Sequence, residues 1–174
     1  MAGKNPHQAV QNFIRPINEA LSCVTRDQAV ASGDDPSNVQ ALSFRHEASK
    51  LRSSPVLFLT VIIRFHIRQA KGKKGPWKVS TSAYYYGIQD SDRREILAYH
   101  WHPGVGPTYP HLHFHSATGS AKQLSKTHMP TKRISLEEVL RFIIEELGVK
   151  PMRSNWKDVV EGTQKRYENF RSWG

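Results

Sequence analysis

The sequence predicts an α+β fold: an antiparallel sheet of about five strands, with an N-terminal helix and two C-terminal helices packed on one face. Apolar residues recur at helical spacing within residues 1–31 and again within residues 135–172. Between these segments, residues 39–116 alternate apolar and polar side chains as half-buried strands do. At 174 residues, the chain is expected to form one domain that contains all three parts.

The first helix is expected to begin at Asn5, a favoured N-cap residue, because Pro6 suits the first helical position. Pro16 lies off the apolar stripe of this helix and predicts a kink. The stripe consists of Val10, Phe13, Ile14, Ile17, Leu21 and Val24. The helix should therefore bury one side and expose the other.

Five strands are predicted after a turn at residues 33–38, where Gly, Asp, Pro, Ser and Asn cluster. A glycine–lysine segment at 72–75 is typical of a hairpin connection, and three prolines and two glycines mark a loop at 103–110. The predicted strands cover residues 39–47, 56–68, 78–88, 96–102 and 111–115.

The C-terminal third returns to helix. Ser135 and Glu138 have the spacing of a capping box, and Gly148 with Pro151 should end the helix that follows. A last helix is expected to begin near Ser154. The apolar faces of the two helices comprise Leu136, Val139, Leu140, Ile143, Ile144 and Leu147, then Val159, Val160, Tyr167 and Phe170.

Charge and composition limit the partners. The net charge is +10 and the pI is about 9.9, which favours RNA, DNA or an acidic protein as partner. Cys23 is the single cysteine, so no internal disulfide forms, as is usual in a reducing compartment. Residues 1–10 lack the apolar stretch of a signal peptide, and the longest apolar run, 56–63, is shorter than the ~20 residues of a membrane span. We therefore expect a cytoplasmic protein without a membrane partner.

Histidines occupy one face of the fourth and fifth predicted strands, because side chains alternate between the two faces of a sheet. The apolar face carries Leu97, Tyr99, Trp101, Leu112 and Phe114. The other face carries the candidate catalytic residues His100, His102, His111, His113 and His115. Five histidines at period two on adjacent strands predict a functional site rather than scattered surface residues.

Substrate contacts are expected from polar residues that accompany this face. The second strand alternates in the same way, so its arginines should join the histidines and hold phosphate. A tyrosine of the third strand would stack a base, and a basic segment after the fifth strand would contact phosphate. The candidate substrate-binding residues are Arg64, His66, Arg68, Tyr86, Lys126 and His128.

Two chemistries fit the histidine face. Histidines can act as general base and general acid, with His113 and either His100 or His102 in these roles, and RNA supplies its own 2′-hydroxyl nucleophile. The pattern therefore predicts a histidine-dependent nuclease that acts on RNA, or on another nucleic acid.

The rival chemistry is metal binding. Three histidines with an open position form a catalytic zinc site, whereas manganese also favours a carboxylate, for which Glu47 is the strand-borne candidate. The cofactor is thus either absent or a divalent metal, zinc or manganese. A third alternative is a nucleic-acid- or protein-binding module in which the histidines hold a structural metal without catalysis.

The segments 98–103 (AYHWHP) and 109–113 (YPHLH), followed by a helix that opens with SLEEVL at 135–140, resemble the TumE-like toxin family of bacterial toxin–antitoxin systems. The likeness spans roughly residues 84–147, and this chain is longer at both ends. The resemblance implies a growth-inhibiting protein that acts on RNA and is neutralised by an antitoxin partner.

The pentapeptide at 111–115 (HLHFH) is also similar to the His-φ-His-φ-His strand of the histidine-triad nucleotide hydrolases and transferases. That resemblance implies that His113 attacks an α-phosphate of a nucleotide. The chain departs from this pattern at Ser116 and Ala117, which replace larger apolar residues, and in the roughly sixty residues that follow the motif.

Overall fold

The computed structural model describes residues 2–69, 77–104, 106–115, 127–170 and 172–173, and it has the predicted α+β architecture. The helices are α1 (Pro6–Leu21), α2 (Leu136–Glu145) and α3 (Trp156–Phe170). The strands are β1 (Ala2–Gly3), β2 (Ala29–Ala31), β3 (Gln40–Phe44), β4 (Ser49–Lys50), β5 (Phe58–Gln69), β6 (Trp77–Gln89), β7 (Glu95–Trp101), β8 (His111–Phe114), β9 (Met129–Pro130) and β10 (Ser172–Trp173).

The described strands form one sheet in the order β2-β3-β5-β6-β7-β8-β9, with β4 paired to β5 and both β1 and β10 paired to β6. Every pairing is antiparallel except that of β10. The prediction of about five strands was an undercount. The five predicted strands correspond to β3, β5, β6, β7 and β8, and the others contain only two or three residues, too few to show alternation.

The predicted helix caps are confirmed. Asn5 accepts a hydrogen bond from the backbone N–H of Gln8 at 2.8 Å, and Ser135 and Glu138 form both bonds of the capping box. Gly148 adopts a φ of +66° just beyond α2, in the left-handed region that glycine favours. Pro16, in contrast, is buried inside α1 rather than lying away from its apolar side.

The core lies between the helices and one face of the sheet. The ring centroid of Phe13 in α1 is 5.2 Å from that of Phe65 in β5, and the rings of Tyr99 in β7 and Phe142 in α2 are 6.4 Å apart. Helix α3 contacts α1 and α2. On β5 the buried apolar positions are Leu59, Val61, Ile63, Phe65 and Ile67, as the alternation predicts.

Two predicted basic segments fall wholly or partly outside the described residues: the hairpin connection at 72–75 and the stretch that contains Lys126. In the described part of the chain, no helix combines the length and the apolar character that a membrane span requires.

Candidate metal centre

Strand register brings the predicted histidines together on the sheet face opposite the core. His100 of β7 pairs directly with His111 of β8, and His113 pairs with Ala98 of β7. His115 continues this face, because its backbone N–H donates to the carbonyl of Ile96 at 2.8 Å. Cross-strand partners share one face of a sheet, so the predicted histidine face is present.

Three of these histidines form a compact group. One ring nitrogen from each of His100, His111 and His113 lies within 4.8 Å of the others. The ring centroid of His100 is 5.5 Å from that of His111 and 4.7 Å from that of His113, and the rings of His111 and His113 are 4.9 Å apart. This group, hereafter the His triplet, could hold a metal ion.

His111 lies at the centre of the group and is fully buried. Its Nδ1 is 2.9 Å from the carbonyl oxygen of Tyr109. A carbonyl oxygen only accepts hydrogen bonds, so Nδ1 carries the proton and Nε2 presents a lone pair. Nε2 of His111 and Nε2 of His100 are both buried without a hydrogen-bond partner. Metal-binding histidines commonly donate their second N–H to a backbone carbonyl in this way.

Burial keeps the His triplet neutral. Desolvation, followed by the proximity of other histidines, lowers the pKa of His100 to about 3 and that of His113 to about 4. Burial also lowers the pKa of His111, although its hydrogen bond to Tyr109 opposes this shift. The imidazoles therefore offer lone pairs at neutral pH without competition from protons.

Two further histidines surround the triplet. The ring of His102 lies 5.4 Å from that of His111, and the ring of His128 lies 4.4 Å from that of His113. His128 was predicted to contact phosphate from a basic loop. It lies in the cluster instead because β9, the strand that follows it, pairs Met129 with Leu112. A strand of two residues leaves no pattern in the sequence.

A carboxylate missed by the sequence analysis lies at the edge of the cluster. Oε1 of Glu95 is 2.7 Å from Nε2 of His115, and the hydroxyl of Tyr85 donates to Oε2 of Glu95. The ring of Tyr85 contacts that of His100 edge-on, with centroids 4.8 Å apart. Burial, together with the hydrogen bond and charge of Glu95, raises the pKa of Tyr85. Glu47, the predicted carboxylate, does not belong to the His triplet.

The predicted arginine anchors share the histidine face but differ in position. Arg64 pairs with Ala83 of β6, near the end of β7 that leads to His102. His66 and Arg68 pair with residues 80 and 78, beyond the last residue that β6 pairs with β7. Of these three predicted contacts, Arg64 is therefore the one placed beside the cluster.

Tyr86, predicted to stack a base, is on the core face and only 3% exposed. Its ring stacks on that of Tyr84, with centroids 4.9 Å apart. The prediction for Tyr86 is therefore wrong, and Tyr85 is the tyrosine that lies among the polar residues of the histidine face. The predicted phosphate contact Lys126 lies outside the described residues.

Comparison with known proteins gives no match: no family model fits the chain, and no curated protein or solved structure is detectably similar to it. The resemblances to the TumE-like toxins and to the histidine-triad enzymes therefore stay predictions.

Proposed function

We propose that this protein is a metal-dependent nuclease that cleaves phosphodiester bonds, with RNA as its preferred substrate. The observation that carries the proposal is the His triplet: three imidazoles with ring nitrogens within 4.8 Å of one another, two of them with an unpartnered, buried Nε2. Unpartnered buried polar atoms are rare in folded proteins, and a metal ion would satisfy both.

The donor set favours zinc. The three candidate ligands are all imidazoles, and no carboxylate joins them among the described residues. Zinc accepts three histidines with an open fourth position, whereas manganese and iron generally require a carboxylate as well. A zinc ion held in this way would supply Lewis-acid stabilisation of a phosphoryl oxygen and would favour deprotonation of a hydroxyl bound to it.

Charge and position favour a polyanionic substrate. The net charge of +10 attracts nucleic acid, and the exposed Arg64 lies on the same sheet face, about two strand spacings or ~10 Å from the strand that leads to His102. Its guanidinium can hold a phosphate with two hydrogen bonds. RNA is the preferred substrate because its 2′-hydroxyl provides a nucleophile next to the scissile bond.

Acid–base catalysis without a metal is the second candidate, and the pairing of His115 with Glu95 favours it. A carboxylate that accepts from one ring nitrogen orients the imidazole and leaves the other nitrogen to exchange a proton with substrate. His113, with its pKa near 4, is neutral at pH 7 and suits the base rather than the acid in such a reaction.

The deciding experiment is cleavage of labelled RNA and DNA by tag-free protein, before and after EDTA treatment and after zinc is restored. We expect RNA cleavage that EDTA abolishes and zinc restores, and that His113→Ala also abolishes. His7→Ala is the matched control, because His7 is exposed, pairs with Asp34 and lies outside the cluster.

Each alternative gives a different result. Cleavage that survives EDTA but is lost in His113→Ala, and weakened in Glu95→Gln, would replace the metal mechanism by acid–base catalysis. Hydrolysis of nucleotides alone would favour the histidine-triad chemistry. Failure to cleave RNA, DNA and nucleotides would overturn the nuclease proposal and leave a binding module with a structural metal.

A further inference from the structure

A second candidate site is a pocket on the same sheet face as the His triplet. It has a volume of about 450 Å³, within the range of small-molecule sites, and opens on the histidine face of the sheet. Residues of β3, β5 and β6 and of the β3–β4 connection surround it, among them Ser43, Arg45, Glu47, Thr60, Ile62 and Tyr85.

The pocket and the His triplet belong to one continuous surface. Ser43 pairs with Ile62, Ile62 with Tyr85, Tyr85 with His100, and His100 with His111. These residues form a single row across five strands, and cross-strand partners share a face. At about 4.8 Å per strand, the floor of the pocket at Ile62 lies ~10 Å from His100. A substrate at the His triplet can therefore extend into the pocket.

The floor of the pocket is apolar but contains one unsatisfied polar group. Ile62 is 37% exposed, although it lies in the middle of a sheet, and the half-buried ring of Tyr85 flanks it. Thr60 is only 5% exposed, and its Oγ1 is buried without a hydrogen-bond partner. An apolar floor suits the flat face of a planar ring.

The rim of the pocket provides opposite charges. Arg45 and Glu47 are both exposed, on the segment that links β3 to β4. An arginine suits a phosphate group. A carboxylate only accepts hydrogen bonds, so it favours a ring edge with two adjacent donors. Guanine alone among the four RNA bases has such an edge, formed by its N1–H and its exocyclic amine.

We propose that this pocket binds the guanine base of a guanosine phosphate: Glu47 accepts from N1–H and the amine, Ile62 and Tyr85 pack against the ring, and Arg45 pairs with a phosphate. The proposal rests on the proposed function, since it assigns base preference to the same nuclease, but its binding test does not depend on cleavage.

The test is calorimetric titration of the tag-free, EDTA-treated full chain with 5′-GMP, 5′-AMP and 5′-UMP. We expect GMP to bind about tenfold or more tightly than the others, because hydrogen bonds to a charged group contribute about 1.5–3 kcal/mol, or roughly 10- to 150-fold in affinity. Glu47→Gln should remove this preference. Glu145→Gln, which changes an exposed carboxylate on α2, is the matched control and should leave all three affinities unchanged.

Two further arms refine the assignment. Arg45→Gln should reduce the affinity for GMP to that for guanosine. A cleavage-resistant 2′-O-methyl oligonucleotide that contains guanine should bind more tightly than GMP if the occupant belongs to RNA, whereas equal affinity assigns the pocket to free guanine nucleotides.

Equal affinities for the three nucleotides, absence of binding, or an unchanged preference in Glu47→Gln would overturn the guanine pocket. RNA cleavage without preference for guanine would overturn the assignment of base preference to the nuclease and leave the nuclease proposal intact. Selective GMP binding without any cleavage would support the guanine pocket and overturn the nuclease proposal.

Discussion

The ring of Tyr85 lies over Gly87, so closely that a Cβ on Gly87 would be 2.8 Å from Cζ of Tyr85. Both residues are on β6, two positions apart and on the same face. The absence of a side chain at Gly87 lets Tyr85 lie along the strand, where its hydroxyl reaches Glu95 and its ring makes a T-shaped contact with His100. Gly87 therefore positions the wall between the pocket and the His triplet.

We predict that Gly87→Ala displaces the Tyr85 ring and lowers the free energy of unfolding by about 1–3 kcal/mol, the usual cost of an overpacked site. Urea denaturation measures the change. Gly162→Ala is the control, because a Cβ on Gly162 in α3 would have no neighbour within 4 Å. In that variant the free energy of unfolding should rise by about 0.5–1 kcal/mol, because alanine is more favourable than glycine inside a helix. Equal effects of the two substitutions would contradict the role assigned to Gly87.

The central position of His111 in the His triplet leads to a prediction about metal affinity. His111→Gln removes one of three ligands, and we expect the dissociation constant for zinc to rise by at least about 100-fold, beyond the 10- to 100-fold typical of a lost outer partner. Competition with a chromophoric chelator measures this constant. His7→Gln should leave it unchanged, since His7 pairs with Asp34 away from the triplet. A variant at His111 that binds zinc normally would refute the assigned ligand set.

Acid should destabilise the metal-free protein in a defined pH range. The folded pKa values of His100 and His113, about 3 and 4, lie below the ~6.5 of an unfolded histidine. Between these values the unfolded chain binds more protons, so the free energy of unfolding falls as the pH falls below ~6.5 and is constant above it.

Urea denaturation of EDTA-treated protein at pH 7.5 and pH 5 tests this expectation. Carboxyls whose pKa is lowered by hydrogen bonds and ion pairs, such as Asp90 and Glu138, lose their stabilising contribution at lower pH, below ~4.5. The interval from pH 7.5 to 5 therefore reports mainly on histidines. His113→Gln should reduce the dependence of stability on pH, and equal stability at the two pH values in the parent chain would contradict a neutral His triplet.

The TumE-like resemblance predicts toxicity. Induced expression in a bacterial host should arrest growth, and His113→Ala should restore growth to that of an empty-vector culture if the His triplet carries the activity. His7→Ala, expressed to the same level, should arrest growth as the parent does. Normal growth with the parent protein would remove the toxin role while leaving the chemistry of the site to the cleavage assay.

The alternation of side chains located the histidine face correctly because apolar partners mark the other face. Leu112 separates His111 from His113, and Trp101 separates His100 from His102. Because alternate residues of a strand lie on opposite faces, this spacing alone places the histidines on the face opposite the apolar residues. The same reasoning failed for three consecutive tyrosines, 84–86, where both faces are aromatic. Only the pairing of Tyr85 with His100 reveals which tyrosine shares the histidine face.

Contacts that depend on short or irregular elements could not be predicted from the sequence. Glu95 begins β7 beside a register shift at Gln89, so its approach to His115 follows from the pairing of three strands. His128 reaches His113 through a two-residue strand. Periodicity requires several residues on one element, and these side chains are positioned by neighbours distant in the chain.

All three proposed ligands lie on β7 and β8, and the outermost two, His100 and His113, are 13 positions apart in the chain. The entropic cost of closing so short a loop is small, and it needs no contribution from α2 or α3. A metal ion at the His triplet would therefore act as a local cross-link between two strands that are neighbours both in the sheet and in the chain.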